Sequence, residues 1–267
     1  MSAWDRVVRD VKTARRILLL TDYDGTLTPI VDRPEAATLP IQTREVLQSL
    51  ARQRGLTVGI ISGRALDDLK SMVRVHGVVY AGNHGLEIEG PGLSFIAPLA
   101  DEFRPLLRLL HAVLSRGLAP VRGARVENKG LSLTVHYRQV EDDQHERVGS
   151  IFEQLVGAAR SAGKVKTTRG KKVLEVRPPI QWDKGTAVGL LVERFGQDGA
   201  RHKSLPVFLG DDVTDEDAFK VVEQHNGISI HVGEGDSKSV ARYYLRSPHE
   251  VQQFLQRLLN AYRRHRL

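Results

Sequence analysis

Apolar positions along the chain follow two alternating rhythms. Residues 16–22, RILLLTD, form an unbroken apolar run that ends in polar residues, the pattern of a strand in a parallel sheet covered on both faces. TREVLQSLARQRG, at 43–55, sets Val46, Leu47, Leu50 and Ala51 at helical spacing and stops at Gly55, which predicts a helix. LTVGIISG (56–63) predicts the next buried strand, RALDDLKSMVRV (64–75) a helix, and GVVYAGNHG (77–85) a strand and turn. Farther on, LPVFLGDD (205–212) is again an apolar run ending in acids, followed by the helical DEDAFKVVEQH (215–225). Strands alternating with helices imply βαβ units, so the expected fold class is α/β with a doubly wound parallel sheet.

The middle of the chain has another texture. LADEFRPLLRLLHAVLSRG (99–117) predicts a helix, ARVENKGLSLTVHYR (124–138) two strands of alternating character, and DQHERVGSIFEQLVGAARSAG (143–163) an amphipathic helix. KVKTTRGKKVLEVRP (164–178) predicts a hairpin turned at Arg169 and Gly170. We therefore expect an inserted α+β cap domain at 99–178 and a discontinuous core domain from 1–98 and 179–267. Pro98 and Pro178–Pro179 punctuate the joints.

Composition narrows the class. With 267 residues, 41% of them hydrophobic, the chain can bury a full core. It has no cysteine, which excludes disulfides and thiolate metal sites. The net charge of +7 would suit nucleic acid, a membrane surface or an anionic small substrate. Lys and Arg are scattered and aromatics are only 6%, so no nucleic-acid platform is expected. The first 16 residues are charged and lack the apolar run of about 7–15 residues of a signal peptide, and ILLL is too short to span a bilayer. The expected location is the cytoplasm, away from membranes.

Two acids, Asp22 and Asp24, stand where the first apolar run stops, and in open α/β sheets ligands bind at the carboxyl ends of the strands. Their side chains share an orientation if the strand continues past Asp22, and Gly25 lets the chain turn sharply. Close carboxylates repel and raise a pKa unless a cation neutralises them, so the pair is either an acid/base pair or part of a metal site. Asp211, Asp212, Asp215, Glu216 and Asp217 crowd the end of a second buried run. Oxygen ligands without Cys or a spaced His pair point to magnesium. The alternative for either cluster alone is helix capping and solvation.

These residues resemble the motifs of the haloacid dehalogenase superfamily of phosphohydrolases: DYDGT at 22–26, Ser62 in IISGR, Lys184 in WDKGTAV, and GDDVTDE at 210–216. AGNHGLE (81–87), VENKGLSLTVHYR (126–138), GKKVLEVRP (170–178) and GDDVTDEDAF (210–219) are similar to one family within it, the trehalose-6-phosphate phosphatases. The resemblance implies a magnesium-dependent hydrolysis of trehalose 6-phosphate through an aspartyl-phosphate, the last step of trehalose biosynthesis. Asp22 would be the nucleophile and Asp24 the general acid and base, a role that requires it protonated at first despite an ordinary pKa near ~3.9. Magnesium would be bound by the Asp22 side chain, the Asp24 carbonyl and Asp211, with Asp212 or Asp215 as an additional ligand. Asp215 ranks lower because it could cap the following helix.

Under the same resemblance, Ser62 and Lys184 would hold the phosphoryl oxygens, and Gly25 and Thr26 would contact the phosphate. Arg64, Asn83, His84 and Gly85 would touch the sugar phosphate, and Glu127, Lys129 and Glu175 the distal glucose. His84 could instead be a structural histidine at a turn. His136, Tyr137 and Arg138 are left unassigned as packing residues of a strand. A functional link to a trehalose-6-phosphate synthase and a monomeric state are expected. The rival readings are a phosphatase for sucrose phosphate, mannosyl-glycerate phosphate or hexose phosphates, or a non-catalytic sugar-phosphate-binding module.

Overall fold

The computed structural model describes residues 3–31, 33–170, 172–196, 204–233 and 239–264. In chain order the elements are α1 (Ala3–Thr13), β1 (Ile17–Thr21), α2 (Ile41–Ala51), β2 (Leu56–Ile61), α3 (Leu66–Val73), β3 (Val79–Gly82), β4 (Glu87–Gly90) and β5 (Leu93–Ile96). Then come α4 (Arg104–Leu118), β6 (Arg125–Asn128), β7 (Leu133–His136), α5 (His145–Ser161), β8 (Lys166–Gly170) and β9 (Val173–Arg177). The chain ends with α6 (Lys184–Phe195), β10 (Leu205–Gly210), α7 (Glu216–Gln224), β11 (Ile228–Val232), β12 (Tyr243–Leu245) and α8 (Pro248–Arg263).

Residues up to Phe95 and from Trp182 onward form one compact unit, and Ile96–Gln181 form a second. The crossings thus lie at 95/96 and 181/182, against the expected 98/99 and 178/179. Phe95 stacks on Trp182 with ring centroids 5.4 Å apart, so the first unit ties its two chain ends together, and Pro98, Pro178 and Pro179 fall within the second unit.

The first unit is built on an eight-stranded sheet of order β12-β11-β10-β1-β2-β3-β4-β5. Pairing is parallel from β12 to β3, and β4 joins β3 antiparallel. Alternation within the buried runs explains the layers. Ile17 and Leu19 of β1 face one cluster with Val7 and Val11 of α1, Leu47 of α2 and Leu255 of α8. Leu18 and Leu20 face the opposite cluster with Val188 and Leu191 of α6 and Phe219 of α7. Helices cover both faces, as the unbroken apolar runs require, and β1 lies at the centre with every residue buried.

The second unit is a four-stranded antiparallel sheet of order β6-β7-β9-β8. One face carries Leu133, Val135, Leu174 and Val176, packed with Leu107 and Leu114 of α4 and Phe152 of α5. The β8–β9 hairpin differs from expectation, because Gly170 pairs with Val173. Arg169 and Gly170 therefore belong to the strand, and Lys172 takes the positive φ of 64° that closes the turn.

Among the described residues no helix is long and apolar enough to cross a membrane.

Candidate active site

In a parallel sheet all strands end on the same side, so β1, β2, β3 and β10 deliver the residues after them to one edge. Asp22 follows β1 and is buried, with its N–H donating to the Leu209 carbonyl at 2.8 Å. Asp211 follows β10. Lys184 is the first residue of α6, where Asp183 caps the helix by accepting from the Thr186 N–H. A cation at a helix N-terminus opposes the helix dipole, and this one is buried as well. What holds it is charge: the ammonium donates to Asp22 Oδ1 at 2.8 Å and to Asp215 Oδ1 at 2.7 Å. Burial alone would lower the Lys184 pKa, but Asp215 and Asp22 outweigh it and the net shift is upward.

The carboxylates show the converse. Burial pushes the Asp22 carboxyl well above the ordinary range, with Asp215 and Asp211 adding to the rise and Lys184 opposing it. Burial likewise raises Asp211 to about 7, reinforced by Asp215. Asp22, Asp211 and Asp215 each offer an oxygen within 4.8 Å of the others. Three crowded oxygen donors with a single lysine between two of them form a set that fits a hard divalent cation. Gly25, at φ +81°, closes this cradle, since a Cβ there would collide with the Asp211 carboxylate.

The two candidates for an additional ligand have different settings. Asp212 is the N-cap of the turn at Val213–Asp215 and accepts from the Val213 N–H at 2.7 Å. Asp215 is its partner in the capping box: Oδ2 accepts from the Asp211 and Asp212 N–H groups at 3.0 Å each. Its Oδ1 still faces Lys184, and the residue is fully buried. Capping thus engages both acids, and of the two it is Asp215 that also lies in the group with Asp22 and Asp211.

Asp24 is arranged differently from Asp22. β1 ends at Thr21, so the strand does not carry the two side chains in common. Instead the chain turns back, with the Gly25 N–H donating to the Thr28 carbonyl at 2.8 Å. Asp24 lies 38% exposed and meets Arg64, whose Nε and Nη2 donate to its two oxygens at 2.7 and 2.6 Å.

Thr26 is fully buried and its hydroxyl reaches Asp211 Oδ1 at 3.4 Å. Ser62, also buried, takes the Arg64 N–H on its Oγ at 3.2 Å. After β3, Asn83, His84 and Gly85 all have positive φ, at 50°, 58° and 88°. Left-handed backbone at a non-glycine residue is strained and collects at functional sites. Here the Asn83 N–H donates to the Arg64 carbonyl at 2.7 Å, the His84 N–H donates to the Ser62 carbonyl at 2.8 Å, and the Asn83 amide bonds Glu87 at 2.7 Å. The strained turn therefore ties the segment after β3 to the segment after β2.

Glu127, Lys129 and Glu175 lie in the second unit. Glu127 pairs with Thr134, Thr134 with Glu175 and Glu175 with Thr168, so one row of polar side chains crosses the sheet on the face opposite the apolar one. Lys129 Nζ is 3.7 Å from Glu175 Oε1. His136 Nε2 lies 2.6 Å from Glu127 Oε2. Although burial opposes it, the His136 hydrogen bond and the Lys129 charge hold the Glu127 carboxyl below its ordinary range. His136 and Thr134 belong to this polar group, and the signal was present in the sequence: alternation places 134 and 136 on one face.

The family model for trehalose-phosphatase matches residues 20–249. The probable trehalose-phosphate phosphatase D of Arabidopsis thaliana is 36% identical over 264 residues, covering 94% of this chain and 69% of the relative. Among solved structures, the C-terminal domain of the Candida albicans trehalose-6-phosphate phosphatase superposes with a TM-score of 0.82 at 26% identity, covering 97% of each chain. A haloacid dehalogenase-like hydrolase from Bacteroides thetaiotaomicron, 19% identical, shares the fold with a TM-score of 0.62 over 91% of this chain and 98% of that one.

Proposed function

Because this chain belongs to the trehalose-phosphatase family, we propose that it hydrolyses trehalose 6-phosphate to trehalose and inorganic phosphate, with magnesium as its cation and Asp22 as the phosphoryl acceptor. The observation that carries this reading is the group of buried Asp22, Asp215 and Lys184 with half-buried Asp211 near the carboxyl ends of β1 and β10.

Lys184 fixes Asp22 through Oδ1, which leaves Oδ2 to attack phosphorus. The bond from phosphorus to the sugar oxygen breaks, its electron pair stays on that oxygen, and Asp24 supplies the proton. Water then attacks the phosphorus of the aspartyl-phosphate while Asp24 takes a proton back, releasing phosphate and restoring Asp22. The Asp22 side chain, the Asp24 carbonyl and Asp211, with Asp215 beside them, would hold magnesium, which would supply positive charge against the anionic phosphoryl group. Ser62, Lys184, Thr26 and the Gly25 backbone bind phosphoryl oxygens. Asn83, His84 and Gly85 contact the sugar phosphate, and Glu127, Lys129 and Glu175 of the second unit bind the distal glucose. Carboxylates there accept from sugar hydroxyls, and a wrong sugar leaves them unpaired.

Phosphate release from trehalose 6-phosphate, sucrose 6-phosphate, glucose 6-phosphate and mannosyl-glycerate phosphate, each with magnesium or with a chelator, tests the assignment. Release from trehalose 6-phosphate should dominate and vanish with chelator. Preference for another sugar phosphate, or turnover untouched by chelator, contradicts it.

A further inference from the structure

Arg64 is held more firmly than binding a transient ligand requires. Both oxygens of Asp24 are taken by its guanidinium, and the third arm, Nη1, lies 3.2 Å from Met72 Sδ. The guanidinium also stands 5.4 Å from the centroid of the Tyr23 ring. Tyr23 is itself buried and donates its hydroxyl to the Ala37 carbonyl at 3.0 Å. At the backbone, the Arg64 N–H reaches Ser62 Oγ and its carbonyl receives the Asn83 N–H. Asp24 has no comparable support from its own segment, because β1 ends at Thr21 and the chain turns at Gly25. A short carboxylate on a turn samples several rotamers, whereas a planar fork that binds both oxygens fixes its direction as well as its distance.

We propose that Arg64 is a positioning residue that sets the orientation of Asp24 for proton transfer to the departing sugar oxygen, acting through Asp24 and not by gripping the substrate. The proposal rests on the reading of Asp24 as the general acid. Arg64 reaches Asp24 from the segment after β2, so one ion pair joins the ends of β1 and β2 across the sheet edge. Lysine cannot replace it, since a single ammonium fixes distance without direction.

A double-mutant cycle on the full chain with magnesium tests this, using kcat/KM, which reports steps through the first irreversible one. The substrates are trehalose 6-phosphate and an activated aryl phosphate, whose leaving group departs without a proton. General-acid catalysis contributes roughly 10²–10⁴-fold. Arg64→Ala should therefore lower kcat/KM for trehalose 6-phosphate by about 10–100-fold, and for the aryl phosphate by only a few fold. Arg64→Lys should recover only part of the loss. Added to Asp24→Asn, Arg64→Ala should cost no more than about twofold further, because residues acting as one unit are not additive. A double mutant whose loss is the product of the single losses overturns the proposal, as does an equal loss on both substrates in Arg64→Ala where Asp24→Asn spares the aryl phosphate, which would make Arg64 a phosphate ligand. Far-ultraviolet circular dichroism of each variant excludes loss of fold as the cause. If Asp24→Asn alone loses both activities equally, the acid reading fails, while the cycle still decides whether Arg64 acts through Asp24.

Discussion

At the scale of single residues, the site depends on one lysine shared by two buried carboxylates. Asp22→Asn keeps the shape of the side chain and removes the proposed nucleophile, so turnover should fall by more than about 100-fold with the thermal midpoint little changed. A variant retaining more activity would remove Asp22 from the role. Lys184→Met should do the opposite to stability, since it strands Asp22 and Asp215 without their cation, a change that costs about 3–5 kcal/mol. Urea unfolding of the two variants side by side separates the effects. Asp22, Lys184 and the acidic run were legible because charged residues at the ends of apolar runs are conspicuous. The relative standing of Asp212 and Asp215 was not, since it turns on which carboxylate oxygen meets which backbone N–H, and that is settled only when the turn at Val213–Asp215 forms.

At the scale of elements, backbone turns set the site as much as side chains do. Gly25 has φ +81° and faces the Asp211 carboxylate, so Gly25→Ala meets both the left-handed penalty of about 1–2 kcal/mol and a direct collision. With magnesium as the proposed occupant, the variant should lose any thermal shift that magnesium gives the wild type, and an unchanged magnesium-dependent shift would contradict the cradle. In the β6–β9 sheet the Glu127–His136 pair carries a pH dependence. A carboxyl depressed in the folded state stabilises above its unfolded value near 4.5, and that stability is lost as pH falls through the folded value. The stability difference between wild type and Glu127→Gln, followed by denaturant titration, should shrink from about pH 6 to about pH 3. The fully buried β1 and the nearly buried β10 were readable from their apolar runs. The half-exposed β4 and β5 were not, because four residues each, with Glu87, Glu89 and Ser94 among them, give too short an alternation. The hairpin turn was misplaced by two residues for a related reason: Arg169 and Gly170 have turn chemistry but pair as strand.

At the scale of the whole molecule, the acid cluster lies entirely in the first unit, and the row of Glu127, Thr134, Glu175 and Thr168 entirely in the second. The insertion was legible because the periodicity changes from buried parallel runs to alternating strands near residue 99 and back near 178. Under the proposed function, phosphoryl transfer belongs to the first unit and choice of sugar to the second. The most direct test is kcat/KM for trehalose 6-phosphate and for a small aryl phosphate, measured on wild type, Asp22→Asn, Glu127→Ala and Glu175→Ala. Asp22→Asn should lose both activities. Each glutamate variant should lose trehalose 6-phosphate hydrolysis by the equivalent of about 1–3 kcal/mol, the consequence of leaving polar partners unpaired, while its aryl phosphate hydrolysis changes little. Equal losses on the two substrates in Glu127→Ala and Glu175→Ala would reduce those residues to supports of the fold and contradict the division of labour.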